Sequence, residues 1–319
     1  MSLRLFKLCS TALSIVTLMI LCPFAVLAQA VPGLAPLELI VSFLPQILLV
    51  STISVATLAV QNIRLALLAL PILFFTALPF LTLSKFERGS GHVCEAGECL
   101  TVITANIYGI HAAMPKLNAL AERESADLIA INEAGSGLLA KDYEPVFPAY
   151  PHVLHAAWEN MPKHMGNPIT VLSRLPFENA ERVLRTDTGR RAYLVADLQA
   201  PWADARIVAL HARTPLTQRT LNARNAILEA VENRLAPQDT FILLGDFNLT
   251  AWSPTFRKLP GQRAGDPRLS NTWPTFAPIL GLSIDHVMFD GDLELVEFKV
   301  LESVGSDHYP ILARFRRPD

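Results

Sequence analysis

The chain has 319 residues, with 27 Lys and Arg against 29 Asp and Glu, for a net charge of −2. That balance disfavours broad, charge-driven binding to duplex nucleic acid without excluding a nuclease whose charge metal ions neutralise locally, and the length exceeds what one small domain needs. A hydrophobic fraction of 51% is high for a soluble enzyme, and the excess lies at one end.

From Leu8 to Ile63 the only charged residue is Glu38, and Leu65 to Ser84 carries none. Three apolar spans fit in this region, near residues 9–29, 38–60 and 65–83. Each approaches the ~20 residues needed to cross a bilayer core. Breaks fall at Gln29–Pro36 and Gln61–Arg64, while Pro45, Pro71 and Pro79 lie inside the spans, where membrane helices tolerate them. A cleaved signal peptide is the rival expectation, with Arg4 and Lys7 as its basic region and Ala28-Gln29-Ala30 as its cleavage site. Both expectations deliver the rest of the chain to the outer side of a cell inner membrane. Arg4, Lys7 and Arg64 on the inside against Lys85 and Arg88 outside agree weakly with that topology. With Glu38 near a span end as the sole intramembrane ionisable residue, the region reads as an anchor rather than as part of a transporter.

Polar and Gly-rich sequence replaces the apolar run at Lys85–Gly97, so the chain divides into a membrane region (1–88), a linker (89–99) and an outer domain (100–319). Cys94 and Cys99 sit in the linker, where they either close a small disulfide loop suited to an oxidising compartment or remain free thiols. Cys9 and Cys22 read as packing residues of the first span. Beyond residue 88 there are 22 basic and 27 acidic residues, a net −5.

In the outer domain, Leu100–Ala105 reads as a buried strand and Met114–Glu124 as an amphipathic helix with apolar positions 114, 117, 120 and 121. Asp127–Ile131, Ile169–Leu172, Ala192–Leu198, Arg206–Leu210 and Thr240–Leu244 read as strands, and Leu216–Leu235 as a helix. Ile284–Phe289, Leu293–Val300 and Pro310–Phe315 complete the strands. The pattern predicts an α/β fold with packed sheets.

Polar groups gather at the strand ends. Asn106 closes the first strand and Glu133 follows the second, which is how a hard oxygen ligand is aimed at Mg²⁺. His211 ends the run Ile207-Val208-Ala209-Leu210. Asp246 and Asn248 are two apart in an extended segment, so both face one side. Asp285 and the pair Asp307-His308 extend the set, and a carboxylate beside an imidazole fixes its tautomer and raises its basicity. His155 and His164 read as loop histidines before Gly166-Asn167, either solvated or facing the cleft; Arg190-Arg191 reads equally as a pair reaching a phosphate or as a surface pair, and His286 as outward-packing or mid-strand.

Taken in order, Thr104-Ala105-Asn106, Asp127 to Glu133, Leu172-Ser173-Arg174, Val208 to His211, Leu244 to Asn248 and Gly305 to Pro310 resemble the motifs of the endonuclease/exonuclease/phosphatase superfamily. The resemblance spans about Leu100 to Phe315. It implies a four-layer α/β/β/α sandwich of the DNase I-like type and a metal-dependent phosphoester hydrolase. It assigns Asn106, Glu133 and Asp307 to Mg²⁺ or Mn²⁺. His308, held by Asp285, would orient or deprotonate the attacking water, a task Asp246 could share. Asn248 and His211 would bind the scissile phosphate, and His211 could protonate the leaving oxygen. Two departures stand out: Tyr108 where some nucleases carry an acid, and Asn167 where a carboxylate supports the catalytic His. Asn271-Thr272-Trp273-Pro274 resembles a substrate-side loop.

The expectation is therefore a membrane-anchored nuclease or phosphodiesterase facing outside the cytoplasm. A phospholipid or sphingomyelin-type phosphodiesterase or a phosphatase is the alternative within the class, although no long apolar loop stands out in the sequence of the outer domain. A catalytically inactive binding domain is the alternative outside it. Candidate substrates are nucleic acid, a lipid head group or a small phosphodiester, and no segment calls for an obligate protein partner.

Overall fold

A computed structural model describes residues 3–318 except 96, 136–137, 157–167, 186–190 and 237–238. Asn167, His164 and Arg190 lie outside the described residues. The chain forms two compact units.

The first unit holds helices α1 (Leu3–Ala30), α2 (Ala35–Ser42), α3 (Leu44–Gln61) and α4 (Ile63–Leu81). The expected span at 38–60 is not continuous: it breaks at Phe43, where Pro45 occupies the first turn of α3 and supplies no N–H to the preceding turn. The break before α4 falls where expected, with the Asn62 side chain accepting from the Arg64 and Leu65 amides. Leu5–Ala30, Leu44–Gln61 and Ile63–Leu81 are long and apolar enough to cross a membrane. Residues 215–221 and 250–257 belong to this unit as well. Within it, Gln218 donates to the Gly33 carbonyl, and Trp252 packs on Phe80 with ring centroids 5.3 Å apart.

The second unit is a layered α/β/β/α sandwich. Its strands are β1 (Phe86–Glu87), β2 (Leu100–Asn106), β3 (Leu128–Asn132), β4 (His152–His155), β5 (Thr170–Ser173), β6 (Phe177–Arg185), β7 (Arg191–Leu198), β8 (Ala205–His211), β9 (Thr240–Asp246), β10 (Gln262–Ala264), β11 (Asp285–Asp290), β12 (Glu294–Val300) and β13 (Ile311–Arg316). One sheet runs β1-β10-β11-β9-β8-β7-β6 and the other β12-β13-β2-β3-β5-β4. Helix α5 (Ala113–Arg123) follows β2, and α6 (Gln218–Glu232) follows β8. Each links two parallel neighbours, β2 with β3 and β8 with β9, as a βαβ crossover does.

Side-chain alternation explains the layers. On β2, Leu100 and Val102 face a core shared with Ile207, Ile242, Leu244 and Val287 of the other sheet. Ile103 and Ala105 face the opposite way, onto Leu117, Leu120 and Ala121 of α5. A strand buried on both faces reads as a continuous apolar run, which is why β2, β3 and β9 are legible. Cys94 and Cys99 form a disulfide.

Candidate active site

Register places the first group of residues. Strands β8 and β9 run parallel with His211 opposite Asp246, and β9 and β11 run antiparallel with Asp246 opposite Asp285. His211, Asp246 and Asp285 therefore stand side by side across three neighbouring strands at one sheet end. In the other sheet Asn106 is opposite Asn132, with Glu133 one residue beyond. The approach to Asp246 requires glycine: Gly245 has φ +139°, and a Cβ there would lie 1.9 Å from the Leu210 carbonyl oxygen.

Asp246 is 1% exposed and forms the centre of the site. Its Oδ1 accepts from the Asn248 amide at 2.9 Å, and its Oδ2 accepts from Asn106 Nδ2 at 3.0 Å and Asn248 Nδ2 at 3.2 Å. His211 Nε2 lies 3.7 Å from that oxygen and 3.3 Å from Glu133 Oε1, and His308 Nε2 lies 4.0 Å from Asp246. Asn106 also donates to Glu133 Oε1 at 3.1 Å. Burial, followed by the nearby charge of Asp285, pushes the Asp246 carboxyl up to about 7.

His308 Nδ1 is 2.9 Å from Asp285 Oδ2. Burial opposes its positive charge, but Asp285, with Asp246 and Asp307 behind it, outweighs that and pushes the imidazole up to about 10. Asp307 takes a different place: its Oδ2 accepts from Trp273 Nε1 at 3.0 Å. The Trp273 ring lies 6.5 Å from the His308 ring, so the Asn271–Pro274 segment does border the site.

Among the described residues, two sets of side chains can hold a cation, Glu133 with His211 and Asp246, and Asp246 with Asp285 and His308. The first fits a hard divalent ion in its donor chemistry, since two carboxylates converge with only amide and imidazole groups between them. Asp307 belongs to neither set among the described residues. The Asn106 amide nitrogen, rather than its oxygen, faces the carboxylates, because Oδ1 accepts from the Tyr108 amide at 3.0 Å. Asn248 spends its amide hydrogens on Ala212 O and Asp246. Strain concentrates here: Tyr108, Glu133 and Asn248 have φ of 49°, 53° and 47°, each worth on the order of 1–3 kcal/mol.

Three supporting residues were not singled out as such from the sequence. Arg224 is fully buried and donates to the Asn248 carbonyl at 3.1 Å. Its signal was a lone cation on the buried stripe Leu221, Leu228 and Val231 of α6. Arg263, also fully buried, donates from Nε to His286 Nδ1 at 2.7 Å and from Nη2 to Ser270 and Ser283. His286 donates in turn from Nε2 to the Leu249 carbonyl at 2.7 Å. Burial and the Arg263 charge hold His286 well below the usual imidazole range, so it stays neutral. Far from being an idle mid-strand residue, it ties the loop bearing Asn248 to the strand bearing Asp285. His155 is no solvated loop residue either: it ends β4, buried, between Thr170 Oγ1 at 2.7 Å and Leu138 O at 2.9 Å.

Comparison with known proteins agrees with this fold. The chain is similar to the endonuclease/exonuclease/phosphatase of Beutenbergia cavernae, with a TM-score of 0.56 at 20% identity over 69% of this chain and 72% of that one. A humanized D. rerio TDP2 gives 0.56 at 17% identity over 69% of this chain and 100% of that one. The 3′-5′ exonuclease NExo of Neisseria meningitidis gives 0.52 at 17% identity, covering 68% and 100%. At these identities the likeness concerns the fold. No curated protein matches in sequence. The model of the endonuclease/exonuclease/phosphatase family matches residues 103–308, which takes in every site residue described above, and the chain belongs to that family.

Proposed function

We propose that this protein is a membrane-anchored, divalent-metal-dependent phosphodiesterase whose site faces away from the cytoplasm. The convergence of Asn106, Glu133, His211, Asn248 and His308 on the buried Asp246 carries the reading. The bound Mg²⁺ or Mn²⁺, held by Glu133 and Asp246 with His211 beside them, would neutralise charge on a phosphate oxygen. Asn106 steadies both carboxylates. Burial raises the Asp246 carboxyl in the cation-free site, and an ion bound there would keep it ionised, placed to orient the attacking water. His308, kept positive by Asp285, offers its Nε2–H to a phosphate oxygen, and His211 faces the leaving ester oxygen. Hydrolysis forms one P–O bond from water and breaks one P–O ester bond, yielding a phosphomonoester and an alcohol.

Three bilayer-length helices support the anchor, and the Cys94–Cys99 disulfide suits an oxidising compartment. Nucleic acid is a candidate substrate because a similar structure, D. rerio TDP2, was solved with single-strand DNA product. Detergent-solubilised full-length protein should hydrolyse bis-p-nitrophenyl phosphate with Mg²⁺ or Mn²⁺ and stop when chelated. No turnover with either metal would overturn the reading. A C-terminal reporter active only in an oxidising compartment tests the orientation, and a silent reporter on a well-expressed fusion would reverse it.

A further inference from the structure

From Leu269 to Ile284 the chain carries no Asp, Glu, Lys, Arg or His, and this uncharged stretch forms a turn at the rim of the site. Its stem is pinned. Trp273 pairs with Leu282, Trp273 Nε1 donates to Asp307, and the Thr275 amide and hydroxyl donate to Asp307 O at 2.9 Å and Ser306 O at 3.0 Å. Tyr309 Oη adds a bond to Thr275 O at 3.2 Å. Pro274 and Pro278 restrict the backbone between these anchors.

The tip is apolar and exposed. Phe276 is 82% and Ile279 89% accessible, with Leu280 beside them at 58%. Exposed apolar side chains scattered singly need no explanation, but three on one short turn mark an interaction surface. The turn is fastened to the residues that flank His308, so whatever covers it meets the site at the same time.

The chemistry of the turn selects its partner. A nucleic-acid strand would call for cations tracking its phosphates, and a stacking platform would use the Phe but not the Ile and Leu. An uncharged aromatic and aliphatic tip instead suits the boundary between head groups and acyl chains. The same chain carries three helices long enough and apolar enough to cross a bilayer, which favours a lipid surface as the partner.

We infer that the Phe276–Leu280 turn docks the site on a lipid surface, and that the phosphodiester it hydrolyses is carried by a lipid head group. This rests on the anchored phosphodiesterase reading above and adds its substrate class. No reactant besides water is required.

The test uses full-length protein in nanodiscs of phosphatidylcholine and phosphatidylglycerol. In a Phe276→Trp variant, brominated phosphatidylcholine should quench the added fluorescence relative to the parent protein. Absence of that extra quenching overturns the docking. The Phe276→Ser/Ile279→Ser variant should lose at least tenfold in turnover of disc phosphatidylglycerol or added sphingomyelin while keeping its rate on bis-p-nitrophenyl phosphate. Equal rates on lipid for parent and variant overturn the inference, as does a loss confined to a single-stranded oligonucleotide. Turnover of bis-p-nitrophenyl phosphate without turnover of any lipid sinks the substrate class and leaves the hydrolase standing. Failure on every substrate with the tryptophan quenched sinks the hydrolase reading and upholds the docking.

Discussion

The side-chain amide of Asn106 donates to Asp246 Oδ2 at 3.0 Å, joining the last residue of β2 in one sheet to the last residue of β9 in the other. The same nitrogen reaches Glu133 Oε1 at 3.1 Å, so one neutral donor lies between two carboxylates. Removing it takes away a donor that holds both carboxylates in the arrangement a cation would meet.

Asn106→Ala should therefore cost about 10²-fold in kcat, in line with loss of one preorganised donor, and raise the Mn²⁺ concentration needed for half-maximal activity. Asp246→Asn, which removes the water-orienting carboxylate and a cation ligand, should cost about 10²–10⁴-fold. Steady-state rates on bis-p-nitrophenyl phosphate across a Mn²⁺ titration check both; a wild-type rate for Asp246→Asn would remove it from the mechanism.

His286→Leu strands the Arg263 Nε–H and the Leu249 carbonyl that His286 bridges. Leaving buried polar groups unmatched costs about 1–3 kcal/mol each, so the apparent melting temperature should fall by several degrees. Gln can accept from Arg263 and donate to Leu249, and His286→Gln should recover most of the loss. Thermal melts of the two variants in one detergent decide this; equal melting temperatures would show that the bridge contributes nothing.

Gly245→Ala sets a Cβ against the Leu210 carbonyl oxygen, at a φ that L-residues rarely adopt. The β8–β9 register that aligns His211 with Asp246 must then shift. The expected outcome is poor folding or a destabilisation of about 4 kcal/mol or more, measured by yield and melting temperature; a variant as stable as the parent would mean that the strands give way locally.

Asp266 supplies an acid-sensitive contact away from the chemistry. Burial opposes its charge, but hydrogen bonds from Arg268 and Arg88 hold its carboxyl at about 2, below its ordinary 3.8. A depressed carboxyl contributes stability that is present above the unfolded value and lost as pH falls through the folded one. Wild type should thus lose its advantage over Asp266→Asn between about pH 4 and pH 2. Melting temperatures of the pair across that window test it, and a constant difference would contradict the assignment.

How much of the fold was legible follows from where each strand lies. Strands β2, β3 and β9 are buried on both faces and announce themselves as apolar runs. Of the edge strands, β12 is legible as Leu293–Val300 whereas β1, β4 and β6 are not, and neither is the three-residue interior strand β10. In β6, Phe-Glu-Asn-Ala-Glu-Arg-Val-Leu-Arg is mostly polar because an edge strand facing water needs no continuous apolar face. The apolar turn at Phe276–Leu280 is not legible because its three large side chains are split by Pro278 within five residues, and composition does not reveal that they face water.

The amino-acid sequence by itself determined which chemistry is available. Asn106, Glu133, His211, Asp246, Asn248, Asp285 and His308 lie at or just outside the ends of strands whose apolar residues are committed to the core, so the polar groups emerge at sheet ends. Only the tertiary structure decided how those groups act. Register set His211, Asp246 and Asp285 in a row, sheet packing brought Asn106 to Asp246, and Arg263 reached His286 from 23 residues away. The charge state of a buried carboxyl depends on burial and on neighbours distant along the chain, so the shift of Asp246 to about 7 could arise only once both sheets had packed around it.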